Sequence, residues 1–228
     1  SGSRCEIDIL HRAIGRGTRW LADRRPGDAV SVLGPLGHPF TLSPDRPFAC
    51  LVGGGIGLPP LIWLAEALRA AGREAVAFCG SRSADLLPLC VDRSRSKVPP
   101  ASAPGDIPVP EFARVGVPSV IATDDGSLGA HGRIPDVFAA WLARCGRSPS
   151  EMIVYACGPE AMIRATAAAC EARGIPCQVC LERMMACGMG TCQSCVVRIR
   201  DAGAPDGWRY RLCCTDGPVF DSHVVLWD

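Results

Sequence analysis

Nine residues near the end of the chain, 187–195, have the composition of a metal-binding loop. They place three thiols, at Cys187, Cys192 and Cys195, in a C-x4-C-x2-C pattern. This is the spacing of plant-type [2Fe–2S] proteins, whose fourth thiolate comes from further along the chain. Two candidates for the fourth ligand, Cys213 and Cys214, follow after a segment long enough for a hairpin.

Two other kinds of cysteine site compete with this interpretation. Structural zinc sites usually use two separated pairs of Cys or His ligands, whereas here one loop carries three Cys with no His nearby. Disulfide-rich chains are usually short and secreted. The spacing therefore favours an iron–sulfur cluster over zinc and over a disulfide framework.

Composition narrows the range of functions. The 228 residues are 48% hydrophobic, enough for a sizeable core, and the formal net charge is +1. A nearly neutral chain is not expected to bind nucleic acid or a membrane surface through a basic patch, and no apolar run approaches the roughly 18 residues of a membrane span. Fourteen cysteines, many in apolar runs, indicate free thiols and a cytoplasmic location.

Strands and helices alternate through the middle of the chain. Strands are predicted at residues 48–52, 75–78, 119–123 and 152–156, and helices at 59–71, 134–145 and 160–173. This order predicts an α/β domain with a parallel sheet covered on both faces. A proline-rich stretch within about 86–116 interrupts the alternation, and we interpret it as a mobile surface insertion.

Candidate ligand-binding residues follow three of these strands, where parallel sheets bind their ligands. Glycines between a strand and a helix let a phosphate approach the backbone at the positive helix end, so dinucleotide binding is favoured over a simple tight turn. The residues are Gly54, Gly55 and Gly57 after the first strand, Asp125 after the third, and Cys157, Gly158 and Pro159 after the fourth.

The two ends of the chain are predicted to be mainly β structure. Strands are expected at residues 5–10 and 29–33, with a short helix at 19–23 after Gly15-Arg16-Gly17-Thr18. That loop is either an anion site or a plain helix N-cap at Thr18. After the middle domain, strands at 175–181, 196–200 and 208–212 frame the cysteine loop. Three domains are expected, at residues 1–45, 46–174 and 175–228.

The order of these parts resembles the electron-transfer subunits of class 1B dihydroorotate dehydrogenases, within the ferredoxin-reductase superfamily. The resemblance covers nearly the whole chain apart from about residues 86–116. Its segments are Gly15-Arg16-Gly17-Thr18, Leu33-Gly34-Pro35-Leu36-Gly37, Gly53-Gly54-Gly55-Ile56-Gly57, Ala122-Thr123-Asp124-Asp125-Gly126-Ser127, Cys157-Gly158-Pro159, Glu182-Arg183-Met184-Met185-Ala186-Cys187-Gly188-Met189-Gly190-Thr191-Cys192 and Asp216-Gly217-Pro218-Val219-Phe220. The last two segments are specific to the family, and the glycine motifs are shared across the superfamily.

The resemblance implies three cofactors. FAD would lie in a partial antiparallel β barrel at the N-terminal end, with Gly15, Gly17, Thr18, Gly34 and Gly37 as candidate contacts. NADH would bind the α/β domain, with its phosphates near the glycine loop and its nicotinamide near Cys157. In the family the fourth cluster ligand lies two residues before Asp-Gly-Pro, which selects Cys214. No catalytic acid or base is expected, because a hydride step requires none.

The resemblance also implies a partner and an overall function. The chain would be an oxidoreductase subunit that passes electrons from NADH, through FAD and the cluster, to the FMN of a separate dihydroorotate dehydrogenase catalytic subunit in a hetero-oligomer. NADH is expected as the donor, although Arg82, after the second strand, leaves NADPH open. The family's Arg-Pro-x-Ser segment, which precedes the Gly-x-Gly-Thr loop and holds the flavin ring, has no match here. The barrel is therefore expected to be incomplete at its N-terminal side.

Two alternative functions follow from the same residues. One is a related NAD(P)H-dependent reductase subunit of the sulfide dehydrogenase or ferredoxin reductase type. Some of those proteins replace a cluster Cys with Asp, so intact cysteines favour the dihydroorotate dehydrogenase family. The other is an iron–sulfur relay or docking module without flavin, which the unmatched Arg-Pro-x-Ser segment would support.

Overall fold

The computed structural model describes residues 6–91 and 107–227. The chain divides into two compact units, Ser1–Gly34 and Pro35–Asp228. The described helices are α1 (Arg16–Ala22), α2 (Leu58–Ala70), α3 (Pro110–Ala113), α4 (Ile134–Leu142) and α5 (Glu160–Glu171). The described strands are β1 (Phe48–Gly54), β2 (Glu74–Ser81), β3 (Ser119–Thr123), β4 (Ala130–His131), β5 (Met152–Cys157), β6 (Cys177–Cys180), β7 (Val196–Arg200), β8 (Trp208–Leu212) and β9 (Val219–Asp221).

Seven of these strands form one sheet in the order β4-β3-β2-β1-β5-β6-β9. All neighbouring pairs are parallel except β6 and β9. From β1 the chain first builds outward through β2, β3 and β4, then returns to the other side of β1 with β5. The strand order therefore reverses between β1 and β5, and ligands of such sheets bind in the crevice at this point.

Apolar side chains pack on both faces of the sheet. β1 is buried at all seven positions, as expected for a parallel strand with both faces covered. One core contains the buried face of α2 together with Phe112 of α3. The other contains Phe138 of α4 and Ile163 of α5 and continues into Val197 and Ile199 of β7. The predicted α/β class and the parallel sheet are confirmed.

The C-terminal β module is attached to the large sheet. β9 pairs antiparallel with β6, while β7 and β8 form a separate two-stranded antiparallel sheet. Cys195, Cys213 and Cys214 are buried in the core that runs on from α4 and α5. The loop of residues 187–195 is therefore supported by a core that is continuous with that of the seven-stranded sheet.

The strands predicted near the N-terminus are not found. The described part of residues 1–45 contains α1 and an isolated bridge between His38 and Pro218, but no strand. A strand is stable only when its backbone groups pair with a neighbour, and residues 6–10 and 29–33 have none among the described strands. The predicted helix at 19–23 begins earlier, at Arg16, and ends at Ala22.

The interpretation of residues 86–116 as a surface insertion is wrong for its last part. Ile107, Val109 and Phe112 are at most 2% exposed and belong to the core over α2. Three apolar side chains within six residues are enough to anchor this segment against a helix despite the surrounding prolines. Leu87 is buried in the same core, and residues 92–106 lie outside the described part of the chain.

The remaining elements agree closely with the sequence. The bounds of β3, β7 and β8 are those predicted, and the bounds of the three long helices and of the other predicted sheet strands differ by a few residues at one or both ends. Within the described ranges, no helix has the length and apolar character that crossing a membrane requires.

Candidate functional site: the cysteine loop and the adjoining sheet edge

The cysteine loop wraps around the Cys187 thiol. The backbone N–H groups of Met189 and Cys192 both donate to Cys187 Sγ, each at 3.4 Å. Gly188 and Gly190 make this wrap possible, because their φ angles are 73° and 83°, in the left-handed region that favours glycine. The loop thus points backbone donors at sulfur, as iron–sulfur proteins do.

The turn after β8 places the next two cysteines. The Asp216 carboxylate accepts a hydrogen bond from the Leu212 N–H at 2.8 Å, and the Asp216 N–H donates back to the Leu212 carbonyl at 2.8 Å. Cys213 donates its N–H to the Cys195 carbonyl at 2.9 Å, which ties this turn to the cysteine loop.

Cys213 and Cys214 have different surroundings. The Cys214 thiol lies near the Cys195 thiol and the Gly190 N–H. Burial, the largest effect, and the neighbouring Cys195 thiol raise the pKa of Cys214, while the Gly190 N–H acts in the opposite direction. Cys213 is fully buried, and burial raises its pKa to about 12, with the Arg183 charge acting in the opposite direction. The ligand assignment remains a prediction, and the contacts of Cys214 agree with it.

The four candidate ligands form two pairs of thiols. Cys187 contacts Cys192 near the surface. The Ser194 hydroxyl lies 3.2 Å from the Cys192 sulfur and is the main reason that the pKa of Cys192 is lowered to about 6. Cys195 contacts Cys214 in the interior. Among the described residues, no three His, Cys, Asp or Glu side chains lie close enough together to hold one metal ion. Two thiol pairs suit a two-iron cluster, in which each iron takes two protein ligands.

The carboxyl ends of β1 and β5 form the predicted nucleotide-binding side of the sheet, which we call the nucleotide-type edge. Here the loop after β1 packs directly on the loop after β5. A Cβ on Gly54 would lie 2.7 Å from Met162 Sδ, and a Cβ on Gly57 would lie 2.5 Å from the Gly158 nitrogen. Only glycine fits at position 57, where the neighbouring atoms are backbone, whereas a Cβ at position 54 would require the Met162 side chain to move. Gly55, between them, has a φ of 54° and open space where a Cβ would be. The structure thus brings together the glycine loop and the residues after Cys157 that the sequence singled out, in a backbone-lined crevice that suits a dinucleotide phosphate.

A cavity of about 350 Å³ separates this edge from the cysteine loop. One wall is formed by Gly158, Pro159 and Glu160, and the other by residues 181–184, which lead into the loop. Both walls belong to the same compact unit. The residues after β5 and the segment that leads into the cysteine loop therefore face one cavity.

Asp125 lies further along the same edge. The loop after β3 is held to the end of β2, because Asp124 and Asp125 donate their N–H groups to the carbonyls of Ser81 and Arg82 at 3.0 and 3.1 Å. Ser127 donates to the Asp125 carboxylate, 2.6 Å from its hydroxyl and 2.9 Å from its N–H, which lowers the pKa of Asp125. One strand, β2, separates β3 from β1, so Asp125 lies away from the glycine loop, and its contact with a bound nucleotide remains a prediction.

Comparison with known proteins identifies the cysteine module. Residues 182–226 match the family described as the iron-sulfur cluster binding domain of dihydroorotate dehydrogenase B. Over 98% of the chain, the sequence is 38% identical to the "Dihydroorotate dehydrogenase B (NAD(+)), electron transfer subunit" of Bacillus caldolyticus, of which 78% is covered. The subunit of the same name from Desulforamulus reducens is 32% identical, with 97% of this chain and 75% of the relative covered.

The chain belongs to the family of dihydroorotate dehydrogenase B electron transfer subunits. A solved NADH-dependent reduced ferredoxin-NADP oxidoreductase is similar as well, with a TM-score of 0.72 and 29% identity over 94% of this chain and 67% of that one. The cytochrome b5 reductase domain of Ulva prolifera nitrate reductase shares the fold, with a TM-score of 0.52 and 19% identity over 71% of this chain and 61% of that one. The predicted family and electron-transfer role are confirmed, and the comparisons support [2Fe–2S], FAD and NAD(H) as its cofactors.

The predicted flavin residues of this family member fall into two groups. In the N-terminal unit, the Thr18 hydroxyl accepts from the N–H groups of Ile14 and Gly15 at 3.1 and 3.0 Å, so it organises the start of α1. Gly17 and Gly34 have open space where a Cβ would be. Gly37 instead belongs to the larger unit, where a Cβ would lie 2.9 Å from the Pro218 side chain. Flavin contact by these residues remains a prediction.

Several residues near the site were given no role by sequence reasoning. Arg183 forms a two-pronged ion pair with Glu160, and Met162 packs under the glycine loop. The Ser194 hydroxyl bridges the Cys192 sulfur and the Met184 carbonyl, 3.2 and 3.3 Å away. Ser194 lies inside the C-x2-C spacing and could have been noticed, whereas nothing in the sequence joins Arg183 to Glu160.

Proposed function

We propose that this chain takes electrons from NADH, through FAD and a [2Fe–2S] cluster, and delivers them to the FMN of a dihydroorotate dehydrogenase catalytic subunit. The observation that carries the proposal is the cavity between residues 158–160, which pack against the glycine loop, and residues 181–184, which lead into the cysteine loop. When bound, the flavin converts the two-electron chemistry of a nicotinamide into the one-electron chemistry of a cluster.

The residues of the chain bind and orient these groups. Gly54, Gly55 and Gly57 would leave backbone N–H groups free to approach the nucleotide phosphates, and Cys157, Gly158 and Pro159 would line the nicotinamide end. Cys187, Cys192, Cys195 and Cys214 would hold the cluster, and Asp125 would contact the far end of the nucleotide. Gly15, Gly17, Thr18, Gly34 and Gly37 would contact FAD. The hydride step requires no acid or base, so no catalytic residue is assigned.

An exposed apolar surface beside the cysteine loop supports transfer to a partner subunit. Met184, Met185 and Met189 are 90%, 47% and 59% exposed. Flexible methionines are common on protein-binding surfaces, and three of them around an electron-transfer loop suit a docked acceptor. We propose that the FMN-containing subunit covers this surface, that the two proteins form a cytoplasmic hetero-oligomer, and that the chain is organised as domains 1–45, 46–174 and 175–228.

Anaerobic reduction tests the proposed function. NADH added to the FAD-loaded, cluster-loaded protein should bleach the visible absorption of the cluster, and added catalytic subunit should then draw electrons for turnover with orotate. A cluster that dithionite bleaches but NADH cannot bleach would overturn the proposal. NADH is expected to act faster than NADPH, and the reverse order would indicate that Arg82 binds the 2′-phosphate.

A second candidate is a reductase subunit that serves another acceptor. The observation favouring it is the similarity to the NADH-dependent reduced ferredoxin-NADP oxidoreductase over 94% of the chain. Co-purification from the native host separates the two, because the partner would be either a dihydroorotate dehydrogenase catalytic subunit or a different redox protein.

A further inference from the structure

One ion pair joins the nucleotide-type edge of the sheet to the segment that leads into the cysteine loop. The two terminal nitrogens of Arg183 lie 2.9 and 3.2 Å from the two carboxylate oxygens of Glu160. Glu160 is the first residue of α5, and Arg183 lies just before the loop that starts at Cys187. A hydrogen bond of 2.9 Å to the Glu182 carbonyl further holds the guanidinium, whose side chain is 24% exposed.

The Arg183 charge lies on the segment that contacts the cysteine loop. Arg183 precedes Cys187 by four residues. The carbonyl of the adjacent Met184 accepts a hydrogen bond of 3.3 Å from the Ser194 hydroxyl, which lies 3.2 Å from the Cys192 sulfur. Arginine stays protonated in proteins, so this positive charge is permanent. The carboxylate of Glu160 is the counter-charge that holds it in place.

We propose that Arg183, positioned by Glu160, raises the reduction potential of the cluster through its charge. Arg183 thus acts as a positioning and tuning residue rather than a ligand. Reduction adds an electron to a group that already carries four thiolates, so a fixed positive charge nearby stabilises the reduced form more than the oxidised form. The inference rests on the proposed function only in requiring that the cluster is bound.

A purely structural pair makes a different prediction. Exposed ion pairs usually contribute little to stability. If the pair were only structural, loss of either partner would change the midpoint potential of the cluster by the same small amount and in the same direction. An electrostatic role instead gives the two partners opposite signs. Removal of the Arg183 charge lowers the potential, whereas removal of the Glu160 charge leaves Arg183 uncompensated and raises it.

Mediator-based redox titration of the cluster, followed by EPR, tests this directly. Arg183→Gln should lower the midpoint potential and Glu160→Gln should raise it, while Arg183→Lys should stay near wild type because it keeps the charge. For a partly screened charge, we expect the ratio of reduced to oxidised cluster at fixed potential to change about threefold, or roughly 30 mV for a one-electron couple. Glu74→Gln is the matched control, because Glu74 pairs with Arg147 at the amino ends of the strands, on the side of the sheet away from the cysteine loop.

Shifts of the same sign in Arg183→Gln and Glu160→Gln, or no shift in either, would overturn the proposal. If Arg183→Gln fails to assemble a cluster, Glu160→Gln decides the matter, since an unshifted potential there also rejects a charge effect. The titration uses dithionite and mediators, so it does not depend on NADH. A cluster that NADH cannot reduce would therefore count against the proposed function, but it would not affect the measured shifts in midpoint potential.

Discussion

The nucleotide-type edge and the cysteine loop flank one cavity through residues 158–160 and 181–184, but the two regions are held in different ways. At the edge, β1 is buried throughout, and a Cβ on Gly57 would overlap the backbone of the neighbouring loop. Most of residues 187–195 are exposed and belong to no strand or helix. Hydrogen bonds from backbone N–H groups to the Cys187 sulfur, rather than apolar packing, hold this loop. The edge is shaped by packing alone, whereas the loop needs its metal group to complete it.

The largest expected effect is at the fourth ligand. Cys214→Ser should lose the cluster, with iron content and visible absorption reduced at least tenfold, because serine is a poor substitute for a thiolate ligand. The adjacent Cys213→Ser should retain the cluster and serves as the matched control. Iron analysis and EPR of both variants give the answer, and the opposite pattern would make Cys213 the ligand.

A glycine substitution should separate the edge from the loop. Gly57→Ala forces a Cβ to within 2.5 Å of the Gly158 nitrogen and should lower the free energy of unfolding by roughly 1–3 kcal/mol. Reduction by NADH should slow while cluster absorption persists. Gly17→Ala is the control for stability, since nothing lies within 4 Å of a Cβ there.

The two glycine variants are measured by denaturant unfolding and by NADH-driven bleaching. If Gly57→Ala unfolds as wild type does, the tight packing between the two loops is not what shapes the edge. A Gly17→Ala variant that keeps its stability but binds FAD weakly would support the predicted flavin contact.

Removal of the cluster should affect the loop and spare the sheet. In hydrogen exchange, residues 187–195 should lose protection after anaerobic chelation, because the thiols then have only weak hydrogen bonds to hold them. The amides of β1 and β5 should keep theirs. Loss of protection at β1 as well would mean that the two regions fold as one unit and that the contrast between them is false.

The smallest effect concerns thiols inside the sheet. Burial raises the pKa of Cys50 and Cys79 well above the usual range, so both should resist alkylation at pH 8 while the exposed Cys90 reacts. Because the folded-state pKa is raised, their contribution to stability is intact below about pH 8.5 and decreases at higher pH.

Mass spectrometry of the alkylated, cluster-loaded protein measures these thiols peptide by peptide, and Cys90→Ser is the control that should remove the label from its own peptide. Rapid labelling of Cys50 under native conditions would show that the sheet opens far more readily than its packing implies.

Local pattern predicted the regular elements well. The residues of β3, β7 and β8 form short runs bounded by turn residues, and their bounds were correct. The strands expected at 5–10 and 29–33 were wrong, since a strand depends on a partner that sequence pattern does not supply. The burial of Phe112 was also missed, because prolines around it signal a loop while the helix that covers it lies far away in the sequence.

The sequence by itself determined the chemistry of this protein. Ligand spacing is a local property, because three thiols must fit around one small group, so C-x4-C-x2-C was enough to indicate a cluster. The tertiary structure decided which groups meet. It brought Gly57 against Gly158, placed Cys214 beside Cys195, and joined Arg183 to Glu160 across 23 residues of chain. Such contacts depend on the strand order and on how the loops pack at the sheet edge, which spacing along the chain does not reveal.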